Sequence, residues 1–157
     1  MIGGEIVLIG GPKAHETKFR PFLKEALQLT IRHWHEQHLP RHFERSAYGR
    51  YHYQRRTAKH ELRKLRKYGH QDPLRFSGRL MREVTSRIRI SGTARMAQAA
   101  LRGPRYLYQF RKDRKAPDKA VELRKTTRKE EREMGDFLDR YLTERLNSDR
   151  TRETIRI

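Results

Sequence analysis

Two amphipathic segments near the ends of the chain constrain its fold more than any other feature. Over residues 17–38, apolar side chains recur at steps of three and four, which predicts a helix with one buried face. That face consists of Phe19, Phe22, Leu23, Ala26, Leu27, Thr30, Ile31 and Trp34. Pro21 lies near the start, where proline is tolerated, and Pro40 ends the helix.

The second amphipathic segment covers residues 127–146. Thr127 and Glu130 fit a capping box, in which each side chain satisfies the other residue's free backbone N–H. Its predicted buried face consists of Met134, Phe137, Leu138, Tyr141, Leu142 and Leu146. We expect Leu27, Trp34, Phe137 and Tyr141 to be buried together against one face of a sheet. Residues 147–157 are polar and are expected to fray or to dock elsewhere.

Short alternating runs predict the strands of that sheet. They are residues 5–9, residues 84–90, the run Tyr106, Tyr108 and Phe110, and the pair Val121 and Leu123. Arg87 and Arg89 alternate with the apolar residues of their strand, and residues 92–103 are expected to form a loop or hairpin connection. The predicted fold class is α+β, a small antiparallel sheet packed by two amphipathic helices, in one domain over residues 1–146 followed by a tail.

The charge of the chain limits the class of its partners. It carries 38 Lys+Arg against 19 Asp+Glu, a formal net charge of +19, which favours polyanions or an acidic partner surface. Ten of these cations stand against two Glu in residues 41–70. With residues 71–72, this segment is predicted to be an extended basic arm or large loop; the alternative over residues 57–67 is a helix with a thin apolar stripe.

The arm supplies the candidate contact residues. The basic ones are Arg45, Arg50, Arg55, Arg56, Lys59, Arg63, Lys64, Arg66 and Lys67, and the aromatic ones are Tyr48, Tyr51 and Tyr53. Cations interleaved with aromatic rings suit single-stranded nucleic acid. The same composition suits an arm packed on an acidic neighbouring subunit, because tyrosine and arginine are favoured at protein interfaces. The sequence leaves both alternatives open.

Motifs for catalysis or metal binding find little support in the sequence. The chain has no cysteine, which excludes disulfides and thiolate chemistry. In HWHEQH, His33, His35 and His38 are spaced by two and three rather than by the four that would place two ligands on one helical face. No phosphate-binding loop occurs, and Ser77 lacks the surroundings of a nucleophile elbow. We therefore expect no enzymatic activity, no catalytic or metal-binding residues and no cofactor. No apolar run approaches the length of a membrane helix.

A compact phrase separates the arm from the predicted sheet. Its residues are Pro73, Leu74, Phe76, Ser77, Gly78 and Leu80. Pro73 fixes the entry, and Leu74 and Phe76, two residues apart, are expected to point the same way as anchors. Ser77 is expected to cap a helical turn that begins at Gly78 and carries Leu80 into the core.

This phrase is similar to a Pro-Leu-x-x-Thr/Ser-Gly-x-Leu pattern of bacteriophage virion-morphogenesis proteins, which include tail-completion and neck (head–tail joining) proteins. The upstream run YHYQRRTAKHELRKLRKYGHQ resembles the basic lead-in of that family, and the run RYLY at residues 105–108 resembles a later strand. The resemblance covers residues 17–146, on a short motif. The strand at residues 5–9 is not part of the pattern.

The resemblance implies a structural role in the virion, reached by assembly in the host cytoplasm. Such proteins form homomeric rings, a hexamer or dodecamer, that join or close head and tail. The implied partners are further copies of the chain, portal or adaptor proteins, tail-tube proteins and the packaged DNA, with no membrane. The alternative function is a basic nucleic-acid-binding protein; a third class, an enzyme such as a nuclease, lacks an acidic metal cluster in the sequence.

Overall fold

The computed structural model describes residues 16–107 and 117–154, and it confirms the predicted α+β class. The described elements are α1 (Glu16–Gln37), a 3-10 turn (Leu39–Phe43), α2 (Ala47–Arg50), α3 (Ala58–Tyr68), α4 (Arg79–Ser86), β1 (Ile88–Gly92), β2 (Ala97–Leu101), a second 3-10 turn (Arg105–Leu107), α5 (Lys119–Glu122) and α6 (Arg128–Thr154). The strand predicted for residues 5–9 lies outside the described residues.

Helices α1 and α6 confirm the two amphipathic segments. Helix α6 begins at the predicted capping box. The Thr127 N–H donates to Oε2 of Glu130 at 3.0 Å, and the Glu130 N–H donates to Oγ1 of Thr127 at 3.2 Å. The helix then continues past Leu146 to Thr154, so the tail that was expected to fray is helical up to that residue.

The sheet of the described chain is a two-stranded antiparallel hairpin. Its register pairs Ile88 with Leu101 and Ser91 with Gln98. The inner face, Ile88, Ile90, Ala97, Ala99 and Leu101, packs into the core beside α1. Side chains of alternate residues therefore point to the opposite, outer face.

The core consists of two clusters, and one of the expected core groupings is wrong. Leu27 packs with Ala97 and Ala99 of the sheet, whereas Trp34 belongs to the other cluster, around the first 3-10 turn. Phe137 is half-buried and stacks on His33, with ring centroids 4.4 Å apart. Tyr141 is also half-buried. Helix α6 packs along α1, and its Leu138 joins the cluster that contains Leu27, Ala97 and Ala99.

Several predicted strand residues are helical. Val84 is buried in α4, one turn after Leu80, so the strand starts only at Ile88. Val121 lies in α5, where Oδ1 of Asp118 accepts the backbone N–H groups of Ala120 and Val121. The predicted 92–103 connection contains β2, and the turn between the strands is short. Tyr106 lies in a 3-10 turn, while Tyr108 and Phe110 are outside the described residues.

The basic segment, residues 41–72, is not an extended arm. It forms most of the first 3-10 turn, then α2 and α3. Helix α3 confirms the alternative that the thin apolar stripe indicated. Oγ1 of Thr57 accepts the His60 N–H at its start, and Gly69 ends it at φ 71°, where a side chain would be strained.

The phrase from Pro73 to Leu80 is a folded junction between α3 and α4. Leu74 is buried at φ 55°, inside a three-residue turn in which the Arg75 N–H donates to the Pro73 carbonyl at 2.5 Å. Leu80 is buried, as expected. Two expectations are wrong. Gly78, at φ 79°, occupies the cap position instead of Ser77, and Phe76 diverges from Leu74 to pack on the Tyr68 ring at 4.9 Å.

Candidate partner and nucleic-acid interfaces

Two buried tyrosines connect the basic segment to the C-terminal elements. The Tyr51 hydroxyl donates to Oε1 of Glu130 at 2.5 Å, and the Tyr53 hydroxyl donates to the Glu122 carbonyl at 2.9 Å. Burial, together with the Glu130 carboxylate, raises the pKa of Tyr51 above its ordinary value. These rings are enclosed by α5 and the start of α6, so they cannot stack on bases, and their predicted role as aromatic platforms is wrong.

Two cations complete the connection to the same C-terminal elements. Nη2 of Arg56 donates to Oε2 of Glu122 at 2.5 Å, and both side chains are largely buried. Nζ of Lys125 donates to the carbonyls of Tyr51 and His52, each at 3.1 Å. We call this set the tyrosine clamp: Tyr51, Tyr53 and Arg56 on one side, and Glu122, Lys125 and Glu130 on the other.

His42 is neutral and packs on the two tyrosines of the tyrosine clamp from the first 3-10 turn, of which it is part. Its ring stacks on Tyr51, with centroids 3.9 Å apart, and its Nδ1 bonds the Tyr53 hydroxyl. Because that hydroxyl gives its proton to the Glu122 carbonyl, Nδ1 of His42 is the donor and Nε2 is unprotonated. Burial lowers the pKa of His42 to about 4. Protonation would place a charge on a buried nitrogen that lacks a hydrogen-bond partner in the described chain.

The three histidines of HWHEQH serve different contacts. Nε2 of His35 bonds the Val84 carbonyl at 2.9 Å, and His33 stacks on Phe137. Nδ1 of His38 accepts from Nη1 of Arg41 at 3.2 Å, and burial lowers the pKa of His38 although Glu130 opposes the shift. Within residues 16–107 and 117–154, no group of three or more His, Cys, Asp or Glu side chains could hold a metal ion.

The predicted contact residues divide into interior and surface groups. Besides Arg56, Lys64 is interior: its Nζ donates to the Asp72 carbonyl, and burial lowers the pKa of Lys64. Tyr48 is half-buried and packs on the core. The exposed members are Arg45, Arg50, Arg55, Lys59, Arg63, Arg66 and Lys67. These seven can meet a partner without unfolding the segment.

The outward side of α3 combines cations with exposed leucines. We call Lys59, Leu62, Arg63, Leu65 and Arg66 the α3 face. Leu62 is 51% exposed and Leu65 is 44% exposed, on a helix whose one buried residue is Lys64. The leucines form an apolar strip beside the three cations. An apolar strip with a charged border is typical of a protein interface.

The outer side of the hairpin is a second basic surface, which the sequence analysis did not single out. We call Arg87, Arg89, Ser91, Gln98, Ala100 and Arg102 the hairpin outer face. All three of its arginines are exposed. The sequence from Val84 to Lys112 contains no Asp or Glu, so no carboxylate of this stretch offsets them. Alternation in β1 predicted the position of Arg87 and Arg89, whereas Arg102 joined them only once β2 was placed opposite.

Comparisons with known proteins add no relative. No family model, no curated protein and no solved structure matches the chain. Of the helices that the structure describes, none has both the length and the apolar character needed to cross a membrane. The likeness to virion-morphogenesis proteins therefore rests on the Pro73–Leu80 phrase and its flanking segments.

Proposed function

We propose that the protein is a structural subunit of a bacteriophage virion, of the neck or tail-completion type. Copies of the chain form a homomeric ring that joins or closes head and tail, next to portal or adaptor proteins or to tail-tube proteins. The observation that carries this proposal is the α3 face, an exposed apolar strip beside three cations. Exposed leucines at one place on a charged surface mark a contact surface for protein.

The chain also offers a helix surface that carries exposed carboxylates. Among the α6 side chains whose exposure the structure describes, the exposed charged residues are four carboxylates and four cations: Glu131, Asp136, Asp139 and Glu144, with Arg128, Lys129, Arg132 and Arg140. A ring with head-to-tail contacts places one surface of a subunit against a different surface of the next. With the α3 face of one subunit against α6 of its neighbour, the three cations of the α3 face would pair with carboxylates of α6.

Internal packing supports a structural role over a chemical one. The side chains best suited to acid–base chemistry bond to one another, to the backbone or to Arg56 inside the fold: His42, Tyr51, Tyr53, Glu122 and Glu130. Through the pair of Arg56 and Glu122, the tyrosine clamp connects the chain just before α3 to the C-terminal elements. The turn at the buried Leu74 connects α3 to α4. A folded scaffold with an exposed helix suits a subunit of an assembly.

Assembly in solution tests this proposal. Light scattering coupled to size-exclusion chromatography, with negative-stain images, should show rings of the wild-type protein, alone or with a phage head or tail fraction. Leu62→Gln with Leu65→Gln should leave monomers with an unchanged circular dichroism spectrum. Val121→Ser, at a residue 47% exposed outside the α3 face, is the matched control and should assemble. Assembly of the double variant like wild type would overturn the proposal.

A second candidate function is a basic nucleic-acid-binding protein. The acid-free stretch from Val84 to Lys112 favours it. Under this function, the α3 face would be dispensable for complementing a defective phage, whereas variants that abolish nucleic-acid binding would fail. If the protein forms a ring, we expect the leucine variant of the α3 face to fail to complement a defective phage.

A further inference from the structure

The hairpin outer face differs from an ordinary solvated surface in its composition. Its three cations are all arginines, whose guanidinium groups have the fork geometry that phosphate accepts. Arg87 and Arg89 lie two residues apart on one edge, about 7 Å at the usual strand rise. Arg102 follows β2 on the other strand, and its backbone N–H donates to the Arg87 carbonyl at 3.4 Å. The three side chains thus lie together at one end of the hairpin.

The residues between the arginines argue against a protein partner. Ser91, Gln98 and Ala100 are small or polar. Met96 lies beyond Gln98 and is half-buried, and its sulfur accepts from Nε2 of Gln98 at 3.6 Å, so this face has no exposed large apolar side chain to form the centre of an interface. Protein interfaces concentrate their binding energy in buried aromatic or aliphatic anchors, whereas nucleic-acid interfaces are more polar and much more positively charged. Charge complementarity therefore favours nucleic acid as the occupant.

The shape of the hairpin favours duplex DNA among nucleic acids. The major groove of B-form DNA, about 12 Å wide, admits a two-stranded β-ribbon. The corresponding groove of duplex RNA is too deep and narrow for side chains to read. Binding to single strands relies on aromatic rings, and no aromatic residue occurs from residue 77 to residue 105.

We propose that the hairpin outer face binds duplex DNA, with the ribbon against the major groove and with Arg87, Arg89 and Arg102 on phosphates. Gln98, paired across the strands with Ser91, lies on the same face, where its amide can meet base edges. This inference concerns a surface that ring assembly through the α3 face does not use.

The test is a salt titration with a short labelled DNA duplex, between about 50 and 200 mM salt. Each phosphate contact contributes a slope of about −0.9 to the plot of log affinity against log salt. The variant Arg87→Gln, Arg89→Gln and Arg102→Gln should therefore flatten the slope by about 2.7. The matched variant Lys59→Gln, Arg63→Gln and Arg66→Gln removes the same charge from the α3 face and should change the slope by less than about 1.

Further probes separate the alternatives. An RNA duplex and a DNA single strand of the same sequence should bind more weakly than the DNA duplex. Polyglutamate mimics an acidic protein. The two triple variants should lose similar amounts of affinity for it. Greater polyglutamate loss in the hairpin variant than in the α3 variant would assign the face to an acidic protein. Equal flattening of the DNA slope in both variants, or none in the hairpin variant, would also overturn the proposal.

Folding and assembly are checked on the same samples. The hairpin variant should keep the wild-type circular dichroism spectrum and the wild-type assembly state. If the triple variant is unfolded, Arg89→Gln alone should flatten the slope by about 0.9. Wild-type rings that do not bind duplex DNA would contradict the DNA proposal alone, and a wild-type protein that binds duplex DNA through the hairpin but forms no rings would contradict the ring proposal alone.

Discussion

The α3 face and the hairpin outer face are both basic and exposed, yet they differ in what accompanies the charge. On α3, Leu62 and Leu65 lie beside lysine and arginine, so binding a partner there can remove apolar surface from water. On the hairpin, the neighbours of the arginines are serine, glutamine and alanine. A net charge of +19 therefore does not define one kind of partner. The uncharged residues within each surface indicate whether protein or nucleic acid fits it.

A second contrast lies inside the basic segment. Arg55 is exposed, whereas its neighbour Arg56 pairs with Glu122 in the tyrosine clamp. The clamp fixes the part of the chain from which the α3 face projects. The comparison of the two surfaces thus depends on the clamp, because an unfolded segment would present all of its cations without a defined face.

The largest expected effect comes from removing Arg56. Arg56→Ala leaves the buried Glu122 carboxylate without its partner and should lower the free energy of unfolding by about 3–5 kcal/mol. Urea unfolding followed by circular dichroism measures this change. Arg55→Ala, the adjacent exposed position, should change it by less than about 0.5 kcal/mol. Similar small losses in both variants would show that the segment is not held by the clamp, and the α3 face would cease to be a fixed surface.

Acid should weaken the same clamp through His42. Its pKa is lowered to about 4 in the fold from an ordinary 6.5. Between these values the unfolded chain binds more protons, so stability rises with pH through this window. The contribution is complete above about pH 6.5, and about 3 kcal/mol is lost as the pH falls to about 4.

Urea unfolding at several pH values checks this dependence. His42→Gln should reduce the slope of stability against pH in the window, whatever its effect at neutral pH. The lowered pKa values of His38, His60 and His70 act in the same direction and leave a residual slope. Tyr51 and Tyr53 contact His42, but burial raises the pKa of each tyrosine, so neither titrates in this range. An unchanged slope in the variant would contradict a neutral, buried His42.

A smaller loss is expected from one hydroxyl. Tyr51→Phe removes the hydrogen bond to the Glu130 carboxylate and should lower the free energy of unfolding by about 2 kcal/mol. Tyr48→Phe is the control, because Tyr48 is only half-buried, and its loss should stay below about 0.5 kcal/mol. Equal losses would mean that Tyr51 acts through ring packing alone and that its hydrogen bond does not strengthen the clamp.

Local signals predicted the two long helices, and distant partners explain most of what the sequence could not predict. The capping box of α6 needs only Thr127 and Glu130, three residues apart. The clamp joins Tyr51 to Glu130, 79 residues along the chain, and Arg56 to Glu122, 66 residues along it. No pattern within the basic segment could reveal these contacts, so it looked like a loop.

The misplaced strand has a local cause. Leu80, Val84 and Ile88 are spaced by four, which suits a helix, while Val84, Ile88 and Ile90 share the parity of a strand. Helix α4 ends at Ser86 and β1 begins at Ile88, within the stretch where both the helical and the strand spacing fit. Strand β2 was missed because three of its five residues are alanine, which is depleted in strands. The outer face of the hairpin could not be identified before β2 was placed.

The smallest expected effect sharpens the role of the hairpin arginines. The variant Arg87→Lys, Arg89→Lys and Arg102→Lys keeps every charge, so the salt slope for duplex DNA should stay within about 0.5 of the wild-type value. Lysine lacks the planar fork of arginine, so the affinity at one salt concentration should fall a few-fold, which is below about 1 kcal/mol. The same exchange on α3, at Arg63 and Arg66, should leave DNA affinity unchanged. A flattened slope in the lysine variant of the hairpin would mean that the arginines position the ribbon through their geometry rather than neutralise phosphates.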